Sequence, residues 1–156
     1  MEAEKIRVTK KFTFDMAHAL YGHDGPCANI HGHTYHLAVT IAGPPLQETT
    51  NPKNGMVIDF GDLKNIVQRE VVERFDHALV LNGNSPHNKV EVLHQQFNKI
   101  LLLPFQPSCE NMLIEIKNSL VHFFNVRHQL IALRLDETPT SYAEWHLSDN
   151  QKVLYE

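Results

Sequence analysis

Three histidines, His18, His31 and His33, are placed so that their side chains can share one metal ion. On a strand, residues two apart point to the same face, so the imidazoles of His31 and His33 converge. Gly32 between them lets the backbone bend or another group approach. Three neutral histidines with an open fourth position are typical of catalytic zinc, whereas structural zinc usually has four protein ligands. The alternative is an exposed polar pair on a strand that binds no metal.

A thiol and three further ionisable side chains are candidates for chemistry. Cys27 lies in a Gly/Pro turn four residues before His31, and this position favours a reactive role over the more common one of apolar filler. Asp76 and His77 are either a charged pair at a helix end or an imidazole whose protonation a carboxylate sets. Glu137 ends an apolar alternating row. A carboxylate on a buried face needs hydrogen-bond donors, which a ligand can supply, and the alternative is a solvated turn.

Two strands must position the histidines. Alternation of apolar residues predicts a first strand over 6–18, with His18 at its end on the buried face. A second strand is predicted over about 31–42, with His31 and His33 in its apolar row. Because the two strands are close in sequence, we expect them to form an antiparallel hairpin.

Helical spacing follows the strands. Asp59 is the expected N-cap of a first helix that extends to Phe75. A second helix is predicted over 90–101, before Pro104, and a third begins with Ser108 as its N-cap.

Alternation then returns in two stretches at the end of the chain, 131–137 and 142–146. The order strand, strand, helices, strand, strand predicts an α+β fold with helices on one face of an antiparallel sheet. The 156 residues suit a single domain, 1–156.

Composition narrows the classes of function. The formal net charge is −4 and no basic stretch exceeds Lys10–Lys11, so we expect no nucleic-acid partner. No apolar stretch approaches the ~20 residues of a membrane span, so no membrane partner is expected. The N-terminus is charged where a signal peptide is apolar, and the 2 cysteines are expected to be reduced thiols in the cytoplasm.

Five segments together resemble the 6-pyruvoyltetrahydropterin synthase and 6-carboxytetrahydropterin synthase family. They occur in the family's order and span most of the chain: 14–18 (FDMAH), 27–33 (CANIHGH), 75–77 (FDH), 107–111 (PSCEN) and 135–138 (LDET). The Cys-x-x-x-His-Gly-His element is specific. The segment 107–111 departs from the family pattern, because Ser108-Cys109 stands where Thr-Ser or Thr-Thr is frequent.

The resemblance implies a fold, an assembly and a substrate. The fold is a four-stranded antiparallel sheet with helices packed on one face, the tunnelling fold or T-fold. Such chains form homo-oligomeric rings, usually hexamers of two stacked trimers, with active sites between subunits. The implied small-molecule substrate is 7,8-dihydroneopterin triphosphate, and the implied cofactor is Zn²⁺ held by His18, His31 and His33.

The resemblance also implies roles for the remaining candidates. Cys27 matches the proton acceptor, and the pair Asp76 and His77 assists it. Glu137 matches the residue that holds the pterin through its amino-pyrimidine edge. Further substrate contacts are implied for Ser108, Cys109 and Glu110. The stretch 83–106 is longer than in compact family members, and we expect it to be surface decoration or interface rather than catalytic.

The family offers two products. We expect a zinc-dependent lyase that makes 6-carboxy-5,6,7,8-tetrahydropterin, with loss of acetaldehyde and triphosphate, towards queuosine, because the chain is compact. The alternative is 6-pyruvoyltetrahydropterin, towards tetrahydrobiopterin. A third family variant, with aldolase-like action in folate synthesis, carries Glu at the position of Cys27. The presence of Cys27 therefore argues against that activity. Two rivals are a non-catalytic zinc- or pterin-binding T-fold protein, which needs neither Cys27 nor His77, and an unrelated zinc hydrolase.

Overall fold

The computed structural model describes residues 4–150, and most of its secondary structure lies in one sheet. The strands are β1 (Ile6–His18), β2 (His31–Gly43), β3 (Ala78–Asn82), β4 (Ile100–Leu103), β5 (Gln129–Thr138) and β6 (Ser141–His146). They form a six-stranded sheet in the order β4-β3-β1-β2-β5-β6. None of the helices within 4–150 is long and apolar enough to cross a bilayer.

The hairpin of β1 and β2 confirms the alternation seen in the sequence. The two strands pair antiparallel along their whole length, and the register places His18 opposite His31. Phe14 on β1 and Leu37 on β2 are buried in the same core. Because side chains alternate along each strand, the histidines at the ends of these rows point to the same side as the core residues.

The helices are α1 (Phe60–Val67), α2 (Glu73–Phe75), α3 (Glu91–His94), α4 (Cys109–Leu120) and α5 (Leu147–Asn150), with a π-helical turn joining α1 to α2. The Asp59 carboxylate accepts from the backbone N–H of Gly61, and the Ser108 hydroxyl accepts from that of Asn111. Both predicted N-caps are therefore present. The fully buried Leu63 of α1 and Ile116 of α4 belong to the core that the sheet covers, so these helices share one face of it.

Two expectations about the sheet and the helices are wrong. The sheet has six strands rather than four, and it is mixed, because β3 pairs parallel with both β1 and β4. The antiparallel part consists of β1, β2, β5 and β6. The predicted helix over 90–101 is helical only at Glu91–His94, and its end belongs to β4. A short continuous apolar run such as Ile100–Leu103 is compatible with either structure, and parallel pairing with β3 selects the strand.

Candidate active site

The three histidines converge at the end of the hairpin. One ligand atom from each of His18, His31 and His33 lies within 4.8 Å of the others. The Nε2 atoms of His18 and His31 are 3.1 Å apart. His18 is 1% exposed, and burial lowers its pKa despite the opposing effect of a hydrogen bond to Pro107. The neutral imidazole that a metal ligand must be is therefore the favoured form at neutral pH.

Backbone carbonyls set the tautomers of two of these histidines. The Nδ1 atom of His18 is 2.7 Å from the carbonyl oxygen of Pro107, and that of His31 is 2.8 Å from the carbonyl oxygen of Asn29. A carbonyl oxygen only accepts, so each Nδ1 carries the hydrogen. The two Nε2 atoms, 3.1 Å apart, then both direct lone pairs to the space between them, where a metal ion can accept them. Two nitrogens bound to tetrahedral zinc lie about 3.3 Å apart, so the residues fit zinc.

Glu137 extends this cluster. Its Oε1 atom is 3.6 Å from Nε2 of His18 and 3.9 Å from Nε2 of His33. The same oxygen accepts a hydrogen bond from the Tyr35 hydroxyl at 3.1 Å. With a side chain 25% exposed, Glu137 lies beside the histidines and not in a solvated turn.

Tyr35 is the residue of this site that sequence reasoning missed. Its side chain is fully buried, and its ring centroid is 5.6 Å from that of His33. Burial, and secondly the charge of Glu137, raise the pKa of Tyr35 well above its ordinary value, so the hydroxyl remains a donor. The available signal was its phase, because Tyr35 follows His31 and His33 in the same alternating row.

The start of α4 lies against the histidine cluster through Pro107, whose carbonyl holds His18. The Ser108 hydroxyl caps α4 by accepting from the backbone N–H of Asn111, and Glu110 is exposed. The Cys109 thiol is buried and donates to the carbonyl oxygen of Leu135 at 3.4 Å. Burial, with a smaller contribution from Glu137, raises the pKa of Cys109 to about 12. Cys109 is therefore an unreactive thiol near neutral pH.

Cys27 is the accessible thiol. It lies in the 3-10 turn Pro26–Ala28 and is partly buried. This turn leads into β2, and the backbone N–H of Leu20 donates to the carbonyl oxygen of Cys27 at 2.9 Å. Over residues 4–150, Cys27 makes no side-chain hydrogen bond with Asp76 or His77. The structure of one chain thus brings the histidines and Glu137 together, and it shows no hydrogen bond between the Cys27 thiol and the Asp76–His77 pair within residues 4–150.

Asp76 and His77 form a fixed pair in the loop between α2 and β3. Asp76 accepts from the backbone N–H of Asp15 at 2.9 Å, and its other carboxylate oxygen is 2.9 Å from Nδ1 of His77. The Asp15 hydrogen bond, and secondly the contact with His77, lower the pKa of Asp76. The His77 side chain is 76% exposed. His77 and His33 line one cavity of about 920 Å³.

A second cavity, of about 950 Å³, lies on the open face of the sheet and is lined in part by His33 and Glu137. His33 therefore lies between two spaces. The Asp76–His77 pair lies beside one of them, and the Glu137 carboxylate beside the other. A bound molecule that fills the second space reaches both the histidine cluster and a carboxylate.

The chain is similar to known proteins over most of its length. A family model described as 6-pyruvoyl tetrahydropterin synthase matches residues 7–147. The chain is 40% identical over 142 residues to a 6-carboxy-5,6,7,8-tetrahydropterin synthase of Haemophilus influenzae, covering 90% of this chain and 98% of that protein. It is 31% identical over 141 residues to a protein of the same name from Rickettsia bellii, covering 89% and 99%.

Two solved structures share the fold. The 6-pyruvoyl tetrahydropterin synthase of Caenorhabditis elegans superposes with a TM-score of 0.65 at 23% identity, over 94% of this chain and 98% of that one. An uncharacterized protein from Wolinella succinogenes superposes with a TM-score of 0.76 at 17% identity, over 93% and 99%. At these identities the likeness establishes the fold alone, the T-fold expected from the sequence.

Proposed function

The chain belongs to the 6-pyruvoyl tetrahydropterin synthase family, and we propose that it converts 7,8-dihydroneopterin triphosphate to 6-carboxy-5,6,7,8-tetrahydropterin, releasing acetaldehyde and triphosphate. The observation that carries this proposal is the 40% identity, over nearly the full length of both chains, to a relative of that name. The queuosine pathway is part of the proposal. We also propose a cytoplasmic location, since both cysteines are free thiols.

Zinc is the proposed cofactor, held by His18, His31 and His33. The support comes from the imidazoles of His18 and His31. Their Nε2 atoms are 3.1 Å apart, and the Nδ1 atom of each ring faces a carbonyl oxygen. When bound, zinc supplies Lewis-acid polarisation of the substrate's side-chain oxygens, which makes the adjacent protons more acidic. The carbonyls of Pro107 and Asn29 keep the two imidazoles in the tautomer that presents Nε2 to the ion.

Proton removal is proposed for Cys27, because it is the partly exposed thiol and Cys109 is buried with a raised pKa. A thiol acts as a base in its thiolate form, which a cationic neighbour favours. His77 fits that role. The ionised Asp76 carboxylate holds the Nδ1 hydrogen of His77, so its Nε2 atom can exchange a proton.

The exposure of His77 bears on the assembly. A histidine that is 76% exposed and not bonded to Cys27 of its own chain is suited to act across a subunit boundary. We therefore propose a homo-oligomer, a hexamer of two trimers, in which His77 of one subunit approaches Cys27 of a neighbour. This arrangement is consistent with a single chain in which the three histidines converge while Cys27 makes no hydrogen bond to His77 within residues 4–150.

Pterin anchoring is proposed for Glu137. One carboxylate oxygen already accepts from Tyr35, and the second oxygen remains available to the amino-pyrimidine edge of a pterin. Ser108, Cys109 and Glu110 follow Pro107, whose carbonyl contacts His18, and they are proposed to border the same space. Since the Ser108 hydroxyl caps α4 and the Cys109 thiol donates to Leu135, their substrate contacts are proposed to come from the backbone.

Product analysis tests the function. The enzyme is incubated with 7,8-dihydroneopterin triphosphate and no reductase, the pterin is identified by mass spectrometry, and acetaldehyde is measured separately. We expect 6-carboxy-5,6,7,8-tetrahydropterin and equimolar acetaldehyde, with neither formed by the matched variant Cys27→Ala. Pyruvoyl product without acetaldehyde establishes the alternative synthase. Zinc-loaded protein that binds the pterin and forms neither product is a non-catalytic binder.

A further inference from the structure

We propose that Lys99 is a positioning residue that holds the Asp76–His77 pair in its working geometry. The Lys99 ammonium donates to the backbone carbonyl oxygen of Asp76 at 2.5 Å and to that of Glu73 at 2.7 Å. Lys99 belongs to the stretch 83–106, which was expected to be decoration or interface. It directly precedes β4, whose first two residues fell within the helix predicted over 90–101.

The end of α2 explains why a cation is useful there. The last carbonyls of a helix have no partner within the helix, and they carry the negative end of its dipole. A lysine near a helix C-terminus satisfies both needs, because it brings hydrogen-bond donors and a positive charge. Lys99 is half-buried, so its ammonium has less access to competing water than that of a fully exposed lysine.

The conformation of His77 makes one of these contacts more than a helix cap. His77 has φ +60°, in the left-handed region that non-glycine residues seldom adopt. The carbonyl of Asp76 belongs to the peptide unit that joins Asp76 to His77, so a hydrogen bond to it fixes the plane from which φ of His77 is measured. Such a conformation persists only where the surroundings hold the backbone on several sides.

The surroundings do hold it on several sides. The backbone N–H of His77 donates to the carbonyl oxygen of Asp15 at 2.7 Å, and the N–H of Asp15 donates to the Asp76 carboxylate at 2.9 Å. These contacts fix the pair against β1. Lys99, at the start of β4, contacts the loop from the other side, because β3 lies between β1 and β4 in the sheet.

The position of Lys99 is itself fixed by the sheet. Its carbonyl oxygen accepts from the N–H of Leu79 at 3.0 Å, and the following residue, Ile100, pairs with Leu79 in the parallel ladder of β3 and β4. The side chain therefore extends from an anchored backbone to the loop that carries Asp76. The pairing of β4 with β3 therefore places the Lys99 ammonium group, just before β4, beside the loop that carries Asp76.

The test uses Lys99→Met, which keeps the length of the side chain and removes its donors. The kinetic measurements on this variant rest on the proposed catalytic role of Asp76 and His77. We expect kcat to fall at least tenfold with KM within twofold, because geometry and not ground-state binding is lost. Lys99→Arg retains donors for both carbonyls, so we expect its kcat to recover to within threefold of wild type. Lys53→Met removes a lysine paired with Asp62 elsewhere on the surface and is expected to leave kcat unchanged.

Amide hydrogen exchange gives a readout that needs no activity. In Lys99→Met, the amides of Asp15 and His77 should exchange at least tenfold faster, and the amide of Leu37 in β2 should not change. Ile41→Val, a truncation at the far end of β2, controls for a general loss of stability. If Lys99→Met does not fold, Lys99→Gln, which keeps a donor, replaces it.

The outcomes separate cleanly. Unchanged exchange at Asp15 and His77 overturns the positioning role, whether or not the wild-type protein turns over its proposed substrate. Faster exchange with an unchanged kcat shows that the contact is structural only, which also overturns the proposal. If the wild type makes no tetrahydropterin product, the proposed function fails, and exchange still decides whether Lys99 holds the pair.

Discussion

The hydrogen bond from Tyr35 to Glu137 gives a sharp test of how the Glu137 carboxylate, the proposed pterin anchor, is held. Tyr35→Phe removes one oxygen atom and leaves the ring, which packs in the core and against the histidine cluster. Because the pKa of Tyr35 is raised by burial and by Glu137, the wild-type hydroxyl is a donor throughout the working pH range. The substitution therefore removes one donor to the Glu137 carboxylate at every pH of interest.

The expected size of the effect follows from the geometry. Hydrogen bonds to charged groups contribute about 1.5–3 kcal/mol. The distance of 3.1 Å is ordinary, and Glu137 is 25% exposed, so water replaces part of the lost contact. We take the lower end, ~1.5 kcal/mol, which corresponds to about tenfold weaker pterin binding if Tyr35 orients the carboxylate for the ligand.

A double-mutant cycle measures this coupling. Binding of 7,8-dihydroneopterin, which lacks the triphosphate, is followed by fluorescence in wild type, Tyr35→Phe, Glu137→Gln and the double variant. Glu137→Gln alone should weaken binding, because the amide has an NH2 donor in place of one carboxylate oxygen, and the guanidine-like edge of the pterin needs acceptors. In the double variant, Tyr35→Phe should add almost nothing. Additive effects within ~0.3 kcal/mol would refute the reasoning, since independent side chains add to about this precision. Zinc content is measured in all four proteins as a control.

Three further predictions concern the metal and the thiols. Alanine at His18, His31 or His33 should strip most zinc from a folded chain, and wild-type protein without stoichiometric metal by elemental analysis would contradict the assignment. Cys27→Ala should keep zinc and substrate affinity and lose turnover, since a base acts in the reaction and not in ground-state binding; near-normal single-turnover rates would remove Cys27 from the mechanism. The pKa of Cys109 is raised from 9.0 to about 12, so the unfolded chain releases this proton first. The folded protein should then lose stability between pH 9 and 12 by up to ~1.4 kcal/mol per pH unit from this group, and urea titrations of Cys109→Ala should lack that slope.

The amino-acid sequence determined the hairpin and therefore the cluster of three histidines at its end. Alternation along β1 and β2 assigns a face to every residue, and the spacing of His31 and His33 is fixed by the pleat of a single strand. Local chemistry also determined where two helices begin, because the Asp59 and Ser108 side chains bond to backbone groups only a few residues away. These features depend on neighbours in the chain, so periodicity and residue type were sufficient.

The strand order beyond the hairpin depended on contacts between distant parts of the chain. Ile100–Leu103 reads equally well as part of a buried helix or a buried strand, and only the parallel ladder with β3 decides between them. The β3 strand itself is a run of five residues with no alternation to mark it, because both faces are buried: Val80 belongs to the main core and Leu81 to a second apolar cluster. The position of Lys99 follows from the pairing of β4 with β3. It could not be predicted from the sequence, because that pairing joins distant parts of the chain.

The finer geometry of the site was likewise decided by tertiary structure. Pro107 is 89 residues from His18 in the chain, and Glu137 is 102 residues from Tyr35. A hydrogen bond between such partners depends on how β5 and the start of α4 meet the hairpin, and residue spacing carries no information about distances across elements. The sequence therefore indicated which side chains are the candidate metal ligands, and the packed structure decided which nitrogen of His18 and of His31 is available to an ion.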